Sequence, residues 1–364
     1  MQKLLSKAIR DEAVLGSALK QADFSPTLMV LVQLTGNMDI LREVAPYIKG
    51  PWSFNETVPQ ELKAKVRGLL IAALKEYAAS SRIPEIPAPD TLRQMMTVAV
   101  GEEVSEDYVP LLLEEMRFDG KSSRVVDWRR DSRTLRRDMY RVTIIGAGLA
   151  GICAAVQLKE AGIPFVVLDK NSGVGGTWFE NTYPGCGVDT PNHFFSYSFN
   201  AHNDWSRHFS SQSEILQYIE RTVEKYGLLD HIRFGTEVLK ASFNEEANTW
   251  DVEYIDNQGS RERLTSNILI SAVGQLNRPS IPKIEGLELF EGPKFHTARW
   301  RKDFDPRGKR VAMIGTGASG MQVGPAVAPD VAELIIFQRS PHWVMRNPNY
   351  HKEVSEGQRW ALNN

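Results

Sequence analysis

The sequence has 364 residues, 42% of them hydrophobic and 24% charged, with a net charge of −2. That length allows two or three domains, and the near-neutral balance argues against a surface built for a polyanion or an anionic membrane. Only Cys153 and Cys186 are present, which excludes a disulfide framework and a cysteine-based metal site. The N-terminus carries no leader-like apolar core, so a reducing, cytoplasmic setting is expected.

Up to about residue 119 the chain reads as helices. Leu4, Leu5, Ala8, Ile9 and Ala13 recur at helical spacing, as do Leu62, Val66, Leu69, Leu70 and Leu74. Pro26, Pro51, Pro59, Pro84, Pro87 and Pro89 punctuate the helices, and Asp90 and Ser105 are expected as N-caps. No chemical motif occurs in this all-α N-terminal extension, which is expected to serve packing or homodimer formation. The apolar runs at 28–32 and 69–74 are too short to span a bilayer. Residues 121–141 are dense in arginine and poor in apolar side chains. They read as a solvated connector, because a nucleic-acid role needs a basic fold around such a run and the chain supplies none.

From Tyr140 the pattern becomes strand, Gly-rich turn, helix, strand, the mark of a doubly wound α/β fold. Strands are expected at 142–145, 165–168, 233–238, 240–244, 250–255 and 267–272, with a helix at 149–160 and a turn at 256–259. Ser211 and Glu214 have the spacing of a capping box for a helix running to Tyr226. A second strand–turn–helix–strand begins at Arg310. The expected architecture is two Rossmann-like dinucleotide-binding units behind the helical extension: 1–138 helical with its connector, 139–285 the first unit, and 286–364 the second.

Two dinucleotide fingerprints carry this expectation. In the first, Gly146 permits the tight turn, Gly148 lets a pyrophosphate approach the backbone, and Gly151 lets the helix pack on the strand. Asp169, at the end of the next strand, is placed to accept hydrogen bonds from a ribose diol. In the second, Gly315, Thr316, Gly317, Ser319 and Gly320 follow the strand at 310–314, and the strand at 333–337 leads into Arg339 and Ser340. A carboxylate near a 2′-phosphate repels it, whereas a guanidinium pairs with it bidentately. The first site therefore suits FAD or NAD and the second NADPH, unless Arg339 is a plain surface arginine. One nucleotide of each type implies electron transfer between two cofactors.

Between the fingerprints, Gly175, Gly176, Trp178, Tyr183, Pro184, Gly185 and Asp189 fall in the pattern (A/G)GxWxxxx(F/Y)P(G/M)xxxD. In this the chain resembles the class B flavoprotein monooxygenases of the Baeyer–Villiger type, whose signature it is. Phe290, Gly292, His296 and Trp300 match FxGxxxHxxxW, with Arg301 in place of the Pro or Asp that ends it. The long helical N-terminal extension, together with the run from Asn181 to Phe199, is most similar to the 4-hydroxyacetophenone monooxygenase branch. The resemblance implies an NADPH-reduced flavin, a C4a-peroxyflavin formed with O2, and attack on a small-molecule ketone to give an ester or lactone. It implies that Gly175, Gly176, Thr177, Trp178 and Tyr183 surround FAD and that Asp189 holds an active-site arginine. It implies too that His296 couples domain movement to catalysis. Read without the family, Asp189 is a turn-stabilising carboxylate and His296 a capping histidine.

His193, His202 and His208 lack ligand spacing, and no metal is expected. Cys186 reads as a packed thiol, and Phe194, Phe195, Tyr197 and Phe199 as core. Family members continue well beyond the point reached at Asn364, so a C-terminally truncated copy is expected, lacking the family's peroxyflavin-stabilising arginine. The alternatives are an N- or S-oxygenating relative and an inactive nucleotide-binding fragment.

Overall fold

Asp11 opens the first described helix, α1 (Glu12–Gln21), by accepting from the Ala13 and Val14 amides at 3.1 and 3.0 Å. Its buried face is Leu15, Ala18 and Leu19, and Ala13 is exposed. The computed structural model describes residues 11–50, 53, 57–80, 84–116, 139–276 and 278–363. Leu4, Leu5, Ala8, Ile9 and most of the arginine-rich connector lie outside them. Helices α2 (Phe24–Thr35), α3 (Met38–Val44), α4 (Gln60–Ala79), α5 (Pro89–Val100) and α6 (Tyr108–Met116) come next along the chain.

In α4 the buried residues Leu62, Val66, Leu70 and Ala73 recur every third or fourth position, as the spacing predicts, while Leu69 is exposed. Two expected caps differ. Helix α5 starts one residue before Asp90, because Pro89 at its first position has its φ fixed for a helix and lacks only an N–H that would be unpaired there. Ser105 lies in a turn ahead of α6, its carbonyl accepting from Tyr108 N.

The chain divides into two compact units. One comprises Met1–Arg124, Asn203–His208 and Arg346–Asn364. Its core joins Leu28, Leu31, Leu41, Val44, Val66 and Leu70. Residues 203–208 and 346–364, which belong to the nucleotide-binding part by sequence, are members of this helical unit. Trp205 is fully buried. Gln358, on α11 (Glu356–Asn363), donates to Asp23 at 2.7 Å. A Cβ on Gly357 would lie 2.9 Å from Ala18 Cα, so α11 seats directly on α1.

The second unit comprises Val125–His202 and Phe209–Met345. Strands β1 (Val142–Ile145), β2 (Phe165–Leu168), β3 (Ile232–Arg233) and β7 (Ile268–Ser271) form an all-parallel sheet in the order β3-β2-β1-β7. Helix α7 (Leu149–Ala161) connects β1 to β2. An antiparallel meander, β4 (Glu237–Asn244), β5 (Thr249–Ile255) and β6 (Arg261–Ser266), lies between β3 and β7 in sequence. The single strand expected at 233–238 is broken: Gly235, at φ +62°, turns the chain out of the parallel sheet and into the meander. A second parallel pair, β8 (Arg310–Ile314) and β9 (Glu333–Phe337), is bridged by α10 (Ala318–Val327). No helix among the described residues is long and apolar enough to cross a membrane, and none of their His, Cys, Asp and Glu clusters has the makings of a metal site.

Candidate active site

The two fingerprints share one backbone. Gly146 and Gly315 sit at φ +104° and +101°, which only glycine adopts freely. Gly148 and Gly317 cap α7 and α10 at φ/ψ −77°/−172° and −69°/−174°. Gly151 is pressed on the first turn, its Cβ position 1.9 Å from Gly146 O, and Gly320 repeats this at 2.8 Å from Gly315 O. The first amides of each helix have no acceptor within the helix and lie where a pyrophosphate would be bound.

The residues just after the second strand of each unit separate the two. Asp169 is buried; its Oδ2 accepts from Ala147 N at 2.6 Å and its Oδ1 from Asn171 N at 2.8 Å. The same interval after Gly315 leads to Gln338, whose Nε2 donates to Thr316 Oγ1 at 2.8 Å. Thus a neutral amide replaces the carboxylate, and exposed Arg339 and Ser340 come immediately after it. Gln338 takes the place of Asp169, and Arg339, expected almost at that place, lies one residue farther on.

The first signature folds over the first fingerprint. Gly175 N donates to Ala147 O at 3.0 Å, and a Cβ on Gly176 would lie 3.0 Å from Gly148 Cα. Two side-chain-free backbones therefore face one another where the flavin nucleotide is expected. Thr177 begins the short helix α8 (Thr177–Glu180), Trp178 is buried in a T-shaped contact with Phe195, and Tyr183 is buried. Beyond Tyr183 the loop pairs with the chain entering α9 (Gln212–Lys225): Val188 N donates to Ser210 O and Gln212 N to Cys186 O. This pairing explains why the expected capping box is absent. Ser211 holds the cap position but bridges Gly187 in extended form, and its hydroxyl meets Ser213. Burial raises the Cys186 thiol pKa, against a lowering hydrogen bond to Tyr183, in keeping with a packed thiol.

Asp189 is exposed, with no hydrogen bond or ion pair among the described residues, so it stabilises no turn there. His296 does act as a cap, its Nδ1 accepting from Ala298 N at 3.1 Å at the head of the 3-10 turn Thr297–Arg299. That turn aims two side chains at the first signature. Arg299 pairs with Glu180 at 2.9 Å, and Trp300 packs on the cluster of Tyr183, Val323 and Val327. Glu180 also meets Lys170 at 3.2 Å and accepts from Asn171 at 3.0 Å. Burial raises its pKa, but the Asn171 and Lys170 hydrogen bonds and the charges of Lys170 and Arg299 bring the net value below the usual range. Arg301, the departure from the second signature, is engaged locally with Asp303. Phe195, Tyr197 and Phe199 are half-buried, and Tyr197 donates to Leu149 O at the start of α7 at 2.8 Å. Phe194 departs from the expected core at 79% exposure.

The flavin-binding monooxygenase-like family matches residues 139–353, more than half of the chain. The chain belongs to this family. Among curated proteins, an uncharacterized monooxygenase of Sinorhizobium fredii, y4iD, is 36% identical over 94% of the chain and 51% of its own length. A Baeyer-Villiger monooxygenase of Streptomyces coelicolor is 44% identical over 60% of the chain and 41% of its own length. The crystal structure of cyclohexanone monooxygenase from Rhodococcus sp. Phi1 bound to NADP+ is similar at a TM-score of 0.56 and 38% identity, over 61% of this chain and 42% of that one. The chain thus spans about half the length of the relatives it matches. The y4iD match takes in the helical extension as well, which the resemblance read from the signatures does not reach.

Within this flavin-binding monooxygenase-like frame, sequence reading misses Glu180, Arg299, Gln322 and Gln338. Gln338 is detectable by counting from each first glycine. The other three carry no motif of their own and emerge only from their contacts.

Proposed function

We propose that the chain forms the FAD- and NADPH-binding part of a Baeyer–Villiger monooxygenase, with residues 139–285 at the flavin and those from 286 on at NADPH. The carrying observation is that two fingerprints of one geometry differ after their second strand, in Asp169 against Gln338 and Arg339. A buried carboxylate beside the first site accepts from a ribose diol, and an arginine beside the second pairs with a 2′-phosphate. Gly148 and Gly176 meet backbone to backbone beside the first amides of α7, so no side chain there stands between a phosphate and the helix N-terminus.

FAD, when bound, would supply the redox chemistry that links NADPH to O2. The balance is ketone, O2, NADPH and a proton going to ester, water and NADP+. Trp178 and Tyr183 fill the flavin side with apolar surface, which excludes water. Asp189, unpaired among the described residues, offers a carboxylate at the end of the flavin loop for a cationic partner in the working enzyme. His296 acts as a positioning residue, because the turn it caps places Arg299 and Trp300 against the first signature. Aryl ketones are the substrate class that the run through Phe199 favours.

The test is to purify the 364-residue chain, measure FAD binding, add NADPH anaerobically, and then admit air and an aryl ketone. Retention of FAD and bleaching of the flavin by NADPH are the expected results, and ester as the oxygenated product would assign the reaction class. Oxidation of thioethers or amines without ester would replace the reaction class, and folded protein that refuses FAD would sink the reading.

A further inference from the structure

Gln322 lies outside both fingerprints and both signatures, yet it joins them. It sits on α10, two residues after Gly320, and is half-buried. Its Oε1 accepts from the Tyr183 hydroxyl at 2.8 Å and its Nε2 donates to Gly187 O at 2.9 Å. This pair of bonds fixes the amide's orientation, since turning it over would set its oxygen against the Gly187 carbonyl. Between the two anchors, Gly185 rests on the helix itself. A Cβ there would lie 2.5 Å from Gln322 O and 3.0 Å from Ala326 Cβ. One turn of helix therefore meets three points of the flavin-signature loop, and Val323 and Val327 pack against Tyr183 beside it.

We propose that Gln322 is a positioning residue that holds the flavin-signature loop, residues 183–187, in register with the helix whose N-terminus forms the second nucleotide site. The inference rests on the reading of the two sites above. Close-packed contact leaves no slack between loop and helix, so a shift of α10 on nucleotide binding displaces both hydrogen bonds. Occupancy of the second site then alters affinity at the first, and the effect is reciprocal, by about fivefold or more.

The experiment compares the wild-type chain with Gln322→Leu and Gln322→Glu. FAD affinity is measured by flavin fluorescence with and without saturating NADP+, and hydrogen exchange is followed without ligands. In the wild type NADP+ changes the FAD dissociation constant by about fivefold or more. Gln322→Leu is expected to bring that factor close to one, with NADP+ affinity of the FAD-free chain unchanged. Its exchange at 183–189 should quicken about tenfold, as expected for two lost hydrogen bonds, with β8 and β9 as protected as before. Gln322→Glu should resemble the leucine variant at neutral pH. On acidification to about pH 3.5, below the ordinary glutamate pKa of about 4.3, it should approach wild-type exchange measured at the same pH, because a protonated carboxyl again offers one donor and one acceptor. A residue that merely fills space gives no such pH-dependent rescue.

Unchanged exchange at 183–189 in the leucine variant would overturn the positioning role, and an unchanged coupling factor would overturn the link between sites. If the wild type binds neither nucleotide, the functional reading fails, while the exchange comparison still decides the place of Gln322.

Discussion

Gly148 and Gly151 belong to one fingerprint, yet alanine at each should fail differently. At Gly151 a Cβ would sit 1.9 Å from Gly146 O and 3.0 Å from Gly146 C, both backbone atoms. Ordinary contact needs about 3.5 Å, so α7 must lift from β1. Overpacking of this kind costs about 1–3 kcal/mol. For a domain of some 200 residues that lowers the melting temperature by roughly 2–10 °C. At Gly148 the nearest atom to a Cβ is Gly176 Cα at 3.6 Å, and φ −77° suits any residue. Gly148→Ala should therefore fold as well as the wild type. Its methyl instead takes the place of the pyrophosphate.

With FAD at about 100 times its dissociation constant, binding stabilises the wild type by about 2.7 kcal/mol. A hundredfold weaker site retains about 0.4 kcal/mol, so a ligand-induced shift of roughly 5–10 °C shrinks to about 1 °C. Thermal melts of the three proteins with and without FAD measure both effects. A full FAD shift in Gly148→Ala, or a Gly151→Ala protein as stable as the wild type, would refute the steric assignment.

Other perturbations separate the remaining parts. Arg339→Ala should weaken NADPH by about 10- to 100-fold, the worth of a charge-assisted phosphate pair, and leave NADH nearly unchanged; equal losses in titrations of the two would make Arg339 a surface arginine. Glu180→Gln should cost about 1–2 kcal/mol at pH 7 by urea denaturation. The folded pKa of Glu180 lies below its ordinary value. Its contribution is therefore present above about pH 4.3 and is lost as pH falls through the folded pKa, so variant and wild type should converge in acid. A gap that persists at pH 3 would assign the loss to packing. The Cys186 thiol, held above its ordinary pKa by burial, should alkylate more slowly at pH 8 than an exposed cysteine, as mass spectrometry after a timed iodoacetamide pulse will register.

The parts of the fold that the sequence makes legible are those governed by local pattern. The first βαβ, β1 to β2, falls at its expected residues because an apolar run, a glycine turn and a helix period coincide there. Strand β6 escapes because Arg261–Ser266 is polar and sits at the edge of its sheet, where one flank has no partner to impose an apolar pattern. The capping box at Ser211 fails for a non-local reason, the pairing of Gly187 with Ser211 across the signature loop. The same holds for the helical unit. Nothing local marks Trp360 or Gln358 as joining the helical core, since those contacts link residues far apart in the chain.

The site itself illustrates why a signature is readable before its meaning is. Residues of the two signatures are separated by more than a hundred positions, and neither explains the other by spacing. In three dimensions they share one contact surface. Arg299 reaches Glu180, Trp300 joins the cluster around Tyr183, and Gln322 takes up the Tyr183 hydroxyl from the far side. A tryptophan at 300 and a tyrosine at 183 are thus answers to one packing problem, the fit of α10 against the loop at 183–187. His296 belongs to the same problem at one remove, because its cap on Ala298 fixes the turn from which Arg299 and Trp300 project. His296→Ala should therefore release the Arg299–Glu180 pair and raise hydrogen exchange at 297–300, whereas His296→Asn, which still supplies a capping acceptor, should restore protection. If the alanine variant is as protected as the wild type, the imidazole is not positioning this turn, and a direct part in the chemistry becomes the better reading of the signature histidine.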